Sequence, residues 1–239
     1  MQKFRVGVDI GGTFTDIVFL GDDGHVLARK IASTPDDYSE AVLDGIKIGV
    51  AELGITAEMV SEVSHGFTVA TNAIIEQKGA KTALITTKGF RDILEFRRNR
   101  IPRLYDLHYE KPPPLVKRQF RLEVGERLNF KGEVLEPLNE VDVDRAVQYV
   151  LDSGVESVAI CLLHSYANPD HEQFIAQALA EKAPEVNLTV SSELLPEMKE
   201  YERTSTTVIN GYVRPVVERY LSLLTDGLTE MGIQVPLTV

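Results

Sequence analysis

Two adjacent glycines, Gly11 and Gly12, lie between the carboxylates Asp9 and Asp16, with hydroxyls at Thr13 and Thr15, inside the stretch Val6-Gly-Val-Asp-Ile-Gly-Gly-Thr-Phe-Thr-Asp-Ile-Val-Phe-Leu20. Such glycines take backbone conformations closed to residues with a Cβ and let a ligand approach main-chain N–H groups closely. The threonines add hydroxyl donors. Asp9 and Asp16 could hold a hydrated Mg²⁺ that bridges to phosphate oxygens. Each part suits a polyphosphate. A bare pair of glycines would read as an ordinary hairpin turn; the carboxylates and hydroxyls on both sides favour the phosphate reading.

A second polar group is Ser64-His-Gly-Phe-Thr-Val-Ala-Thr-Asn72, which places His65, Thr68, Thr71 and Asn72 where a strand gives way to a helix. The first helical N–H groups are unpaired and point outward, so ligands gather at such junctions. The competing reading makes Thr68 an N-cap and Asn72 an exposed or locally bonded helix residue. Arg97, Arg98, Arg100 and Arg103 crowd ahead of Pro112-Pro-Pro114. They could grip an anion or a partner surface, but salt bridges to this acidic protein's own surface are the favoured account. His171 lacks a partner at metal-ligand spacing and reads as a surface helix residue; His164, ending an apolar run, reads first as a structural histidine. Cys161 reads as a buried, inert thiol. The sequence has no G-x-x-x-x-G-K loop, zinc-spaced Cys/His set or G-x-S-x-G elbow.

The elements that must position these groups follow from periodicity. Val6 to Leu20 reads as two strands around the glycine turn, and Val26 to Ala32 as a third antiparallel strand. Pro35-Asp-Asp37 is a helix start, and Tyr38, Val42, Ile46, Val50 and Leu53 recur at helical spacing until Gly54. Val60 to Gly66 reads as a strand, Thr68 to Gln77 as a helix and Lys81 to Thr86 as a strand. Gln119 to Arg127 alternates as one strand, Asp142 to Leu151 is helical, and Ser157 to Leu163 is an apolar run of the kind found in strands buried on both faces. Asn168-Pro169 opens a helix with Asn as N-cap, and Val186 to Ser191 supplies another strand. Pro196 opens a long helix, in which Pro215 predicts a bend. The segment Lys199 to Asn210 carries more polar groups than a solvated face needs, so a buried polar contact or another domain is expected there. Val235 to Val239 begins a further strand.

The chain has 239 residues, 44% hydrophobic and 26% charged, with a formal charge of −11. That size supports one large domain or two small ones. The acidic balance argues against binding to nucleic acid or anionic membrane, which needs clustered Lys and Arg. One cysteine allows no internal disulfide, and no signal-peptide pattern or membrane-length apolar run is present, so the cytoplasm is expected.

Five segments carry a resemblance: Gly7 to Asp16, His65 to Glu76, Lys78 to Asp92, Leu162 to Pro169 and Glu200 to Pro215. Together they closely resemble the A-type subunit of the hydantoinase/oxoprolinase family. The resemblance implies an α/β fold: the N-terminal half of an actin-like (ribonuclease H-like) ATPase with an additional α/β layer and mixed sheets. The expected domains are 1–95 with the phosphate loop, 96–118 as an Arg/Pro-rich loop, 119–195 as the α/β layer, and 196–239 as a long helix returning toward a second actin-like half. It further implies phosphorylation, from ATP with Mg²⁺, of the carbonyl oxygen of a lactam, hydantoin or ketone before hydrolysis or carboxylation, together with a B-type partner subunit. Asp9, Gly11, Gly12, Thr13 and Thr15 match the first phosphate loop, with Asp9 or Asp16 toward the metal. His65, Thr68, Thr71 and Asn72 match a second motif near the reacting phosphate or substrate, with Phe67 where many relatives carry a threonine. The length implies an N-terminal piece holding at most half of a nucleotide site. A kinase of the same superfamily and a noncatalytic assembly or regulatory module are the alternatives.

Overall fold

The structure, a computed structural model, describes residues 2–34, 37–98, 105–106 and 108–238. Pro35, Asp36, Arg100, Arg103 and Val239 lie outside the described residues. In chain order the elements are β1 (Phe4–Ile10), β2 (Phe14–Gly21), β3 (Val26–Ala32), α1 (Tyr38–Leu53), β4 (Val60–Phe67), α2 (Val69–Ile75), β5 (Thr82–Thr87) and α3 (Ile93–Phe96). There follow β6 (Arg121–Val124), β7 (Arg127–Leu128), β8 (Val134–Glu136), α4 (Glu140–Ser153), β9 (Ser157–Cys161), α5 (Asp170–Lys182), β10 (Asn187–Val190), α6 (Ser191–Leu194), α7 (Glu200–Glu230) and β11 (Leu237–Thr238). The chain forms two compact units, residues 1–78 with 216–239, and residues 79–215.

The first unit is built on a five-stranded sheet of order β11-β4-β1-β2-β3. Its first three strands are antiparallel, while β4 runs parallel to β1 and β11 parallel to β4. This is the ribonuclease H-like order that the resemblance implies. Alternation sends Val6, Val8 and Ile10 of β1 and Ile17 and Phe19 of β2 to one face, where they pack with Val42 and Ile46 of α1 and Leu224 and Leu228 of α7. Asp37 caps α1 by accepting from the Ser39 N–H at 2.9 Å, and Gly54 ends it in the left-handed region at φ 63°. The helix lies close on the sheet because Gly45 and Gly49 face it: a Cβ at Gly49 would sit 2.1 Å from the Phe19 ring.

The second unit has a four-stranded sheet of order β10-β9-β5-β6 in which every pairing is parallel. Both β5 and β9 are buried along their whole length, as strands covered on both faces must be. The expected single strand over 119–127 is divided instead. Gly125 breaks it by donating to Asp142 Oδ2 at 3.0 Å, and β7 turns away to pair with β8. At the start of α5, Pro169 takes the cap position and Asn168 Oδ1 accepts from the Asp170 N–H at 3.0 Å, so the expected cap moves by one residue. The long helix α7 continues through Pro215.

A buried ionic hub explains the polar segment of α7. Arg203 is 1% exposed and donates to Ser165 Oγ, to Ser191 Oγ and to the Leu162 carbonyl, the last at 2.7 Å. Glu172, fully buried, lies 3.7 Å from the guanidinium and accepts from the Leu162 N–H at 2.8 Å and the Ser192 N–H at 2.9 Å. Thr204 bonds the buried Cys161 thiol at 3.2 Å. The expectation that His171 is a surface residue is corrected: its Nδ1 lies 2.9 Å from Oε2 of Glu126, a carboxylate buried at the end of the sheet and bonded to the Thr87 hydroxyl. Arg97 donates to the Pro112 carbonyl at 2.5 Å and Arg98 pairs with Glu202, so these two arginines are spent within their own unit.

Candidate phosphate site

The turn between β1 and β2 is closed by a hydrogen bond from the Gly11 N–H to the Phe14 carbonyl at 2.9 Å. Its geometry is held from behind. Thr15 is fully buried, its hydroxyl 3.0 Å from Ser33 Oγ, and Ser33 donates to the Gly11 carbonyl at 2.8 Å. Thr15 thus buttresses the loop from the core side, whereas Thr13 is exposed at its tip. Gly12 faces open space: an added Cβ would meet only the Asn72 amide nitrogen, at 3.8 Å. At Gly11 a Cβ would come within 3.2 Å of the Phe14 carbonyl.

Asp9 and Asp16 are directly opposed in the β1–β2 register, so both project from the sheet face that α1 leaves open. They line a shallow groove of about 460 Å³ with Ser64 and Gly66. Like charges directly opposed are unfavourable, and Lys30, 2.8 Å from Asp16, offsets one of them. The donor set suits a small hard cation that takes one or two carboxylates and completes its shell with water and phosphate oxygens. Among the described residues no group of three or more His, Cys, Asp or Glu is arranged for a metal ion.

The parallel pairing of β1 with β4 brings the second motif to the same end of the sheet, with Asp9 opposite Gly66 and Ile10 opposite Phe67. Thr68 does not cap α2 with its side chain; its hydroxyl donates to the Ile10 carbonyl at 2.9 Å and ties the helix start to the end of β1. Asn72, one turn along α2, directs its amide toward Thr68 Oγ1 at 3.4 Å and borders Gly12. Thr71 is exposed and has no side-chain partner among the described residues.

His65 is placed differently from the other polar groups. It is 4% exposed, stacked on Phe67 at 5.6 Å, with Nδ1 3.3 Å from the Val8 carbonyl and Nε2 2.5 Å from the Tyr220 hydroxyl. A nitrogen facing a carbonyl must carry the proton, so Nε2 accepts from Tyr220. Burial lowers the His65 pKa, against the smaller opposing effects of the Val8 carbonyl and Asp9, and holds the ring neutral. Burial also raises the Tyr220 pKa.

Of the positions expected from the sequence, Asp9, Gly11, Gly12, Thr13, Thr68 and Asn72 therefore converge on one sheet end, with Asp16 in the adjoining groove. Thr15 and His65 stand behind them as supports. Ser33 and Tyr220 were missed by the sequence reading. Alternation along β2 could have shown that Thr15 turns inward when Asp16 turns outward, but no spacing marks Ser33 as its partner.

Residues 5–183 match the hydantoinase/oxoprolinase N-terminal region. The chain belongs to the hydantoinase/oxoprolinase family. Within that family it is similar to the caprolactamase alpha subunit of Pseudomonas jessenii, 36% identical over 241 residues that cover 98% of this chain and 35% of the relative. An uncharacterised protein of Methanocaldococcus jannaschii is 40% identical over 97% of this chain and 34% of its own. Among solved structures, the ATP-dependent caprolactamase of P. jessenii superimposes with a TM-score of 0.89 over 98% of this chain and 35% of that one. Nucleotide-free acetone carboxylase, from work on ATP-dependent acetone carboxylation, gives 0.83 at 26% identity, over 97% of this chain and 35% of that one. The chain spans about a third of the length of these family members. No helix among the described residues is long and apolar enough to cross a membrane.

Proposed function

We propose that this chain is the N-terminal ATP-handling part of an ATP-dependent enzyme of the hydantoinase/5-oxoprolinase type, which phosphorylates the carbonyl oxygen of a lactam, hydantoin or ketone before hydrolysis or carboxylation. The observation that carries the reading is the convergence of Gly12, Thr13 and Asp9 with Asn72 on one sheet end, although the motifs are far apart in sequence. The relatives named for ATP-dependent lactam and ketone chemistry support it.

In this proposal the main-chain N–H groups of Gly12 and Thr13 and the Thr13 hydroxyl hold phosphate oxygens of the substrate ATP, while the Gly11 N–H closes the turn on the Phe14 carbonyl. Asp9, with Asp16 beside it, would hold Mg²⁺, which supplies charge neutralisation when bound. Thr68 and Asn72 fix the far wall of the loop, and Asn72 presents an amide donor toward the acceptor. Neutral His65, clamped between the Val8 carbonyl and Tyr220, keeps β1 in place beside Asp9. A B-type subunit and a cytoplasmic setting belong to the same proposal.

The test is phosphate release from MgATP driven by a cyclic amide, measured in the intact enzyme. Asp9→Ala should abolish coupled turnover and leave the unfolding midpoint within a few degrees of the parent. Full turnover in Asp9→Ala would remove the assignment.

A further inference from the structure

The first unit carries a half-open cavity of about 300 Å³ between α2, the start of α1 and the second half of α7. That volume is at the small end of the range for ligand pockets. Its wall is mainly apolar, with Val69 and Ala73 from α2, Tyr38 from α1 and Val216 from α7. Asn72 lines it too, and the same amide borders Gly12 of the phosphate loop. A ligand at the Asn72 end of this cavity therefore abuts the loop.

The polar groups around the cavity are not equally available. Lys78 and Glu76 pair with each other at 3.0 Å. Asp37 is occupied in capping α1, accepting from the N–H and the hydroxyl of Ser39. The Tyr220 hydroxyl is given to His65. Arg219 lines the cavity and has no hydrogen-bond or ion-pair partner among the described residues. Two groups are thus left for a ligand: an amide donor next to the phosphate loop and a guanidinium at the α7 wall. An amide suits a carbonyl oxygen, and a guanidinium suits a carboxylate, which it can bind through two parallel N–H donors.

We propose that this cavity seats the phosphoryl acceptor, with its carbonyl at Asn72, and that Arg219 is the specificity residue that selects acceptors bearing a carboxylate over neutral ones. The assignment rests on the phosphate-loop reading for its chemistry, but the cavity is tested separately. Val69, Ala73 and Val216 supply the apolar wall for a small ring. The exposed position of Arg219 at the rim lets the carboxylate stay partly hydrated while it is held.

The experiment is calorimetric titration of the intact enzyme with a matched pair, 2-pyrrolidinone and its 5-carboxylate, alongside MgATP. The parent should bind the carboxylate about two- to fivefold tighter, the size expected for a charge pair at an exposed position. Arg219→Gln should erase that preference without changing MgATP affinity, and Ala73→Leu, which fills the cavity, should weaken both lactams. Equal binding of the pair by the parent, a preference that survives Arg219→Gln, or lactam affinities unchanged in a folded Ala73→Leu protein would each overturn the cavity assignment. Asp9→Ala separates the two readings. Lost MgATP affinity with lactam binding kept supports both, whereas unchanged MgATP affinity overturns the loop reading and leaves the cavity standing.

Discussion

Replacing Arg203 by Met would remove the cation from a pair that is almost wholly enclosed, since Arg203 is 1% and Glu172 0% exposed. Three things are lost together: the bonds to Ser165 and Ser191, the bond to the Leu162 carbonyl, and the charge 3.7 Å from Glu172. Glu172 keeps donors from Leu162, Ser191 and Ser192 but is left as a buried anion without a counter-charge. Breaking such a pair from one side costs about 3–5 kcal/mol, against a total of roughly 5–15 kcal/mol for a domain. Arg203→Met should therefore lower the denaturant midpoint sharply. Adding Glu172→Gln removes the stranded charge and keeps one acceptor oxygen, enough for the Leu162 N–H but not also for the Ser192 N–H. A lost hydrogen bond costs less than a buried unpaired charge, so the double variant should be more stable than Arg203→Met alone. The assay is urea unfolding of the parent, both single variants and the double. A loss under about 1 kcal/mol for Arg203→Met, the range of an exposed pair, or a double variant less stable than the single, would refute the reasoning.

Tyr220→Phe leaves the buried His65 Nε2 without its donor and should cost about 1–3 kcal/mol in the same unfolding assay. Because the folded His65 pKa lies below its unfolded value of about 6.5, the unfolded chain takes up a proton that the native state does not as pH falls. Stability should accordingly drop more steeply below about pH 6.5 in the parent than in His65→Gln, read from thermal midpoints between about pH 8 and pH 5. Gly49→Ala drives a Cβ to 2.1 Å from the Phe19 ring and should destabilise the first unit by about 1–3 kcal/mol, measured by thermal unfolding. Cys161 is buried and its pKa is raised by that burial, so a thiol reagent should label it only on unfolding.

Periodicity carried the parts of the fold that lie on one period. The α1 stripe and the β3 span emerge with the expected bounds because hydrophobic spacing and caps agree there. Gly45 and Gly49 did not register as core-facing, since a residue without a side chain adds nothing to a hydrophobic pattern although its absence lets α1 close on β2. The strand expected over 119–127 was broken by a tertiary contact, Asp142 reaching the Gly125 N–H, that alternation cannot report. The excess of polar residues in α7 was visible, but its cause depends on Glu172 and Ser165 arriving from elsewhere in the second unit. At the phosphate site the composition of the turn was informative, while the inward direction of Thr15 and the enclosure of His65 follow from strand register and burial.

The central claim is that the Gly11–Thr13 turn holds phosphate through its backbone, and Gly12→Ala tests it most directly. The added Cβ meets only a 3.8 Å contact with Asn72, so the fold tolerates it, yet it occupies the space a phosphate needs beside the main-chain N–H groups. In the intact enzyme, Gly12→Ala should keep its unfolding midpoint and lose about tenfold or more in MgATP affinity by titration calorimetry. MgATP binding by Gly12→Ala equal to that of the parent would contradict the account.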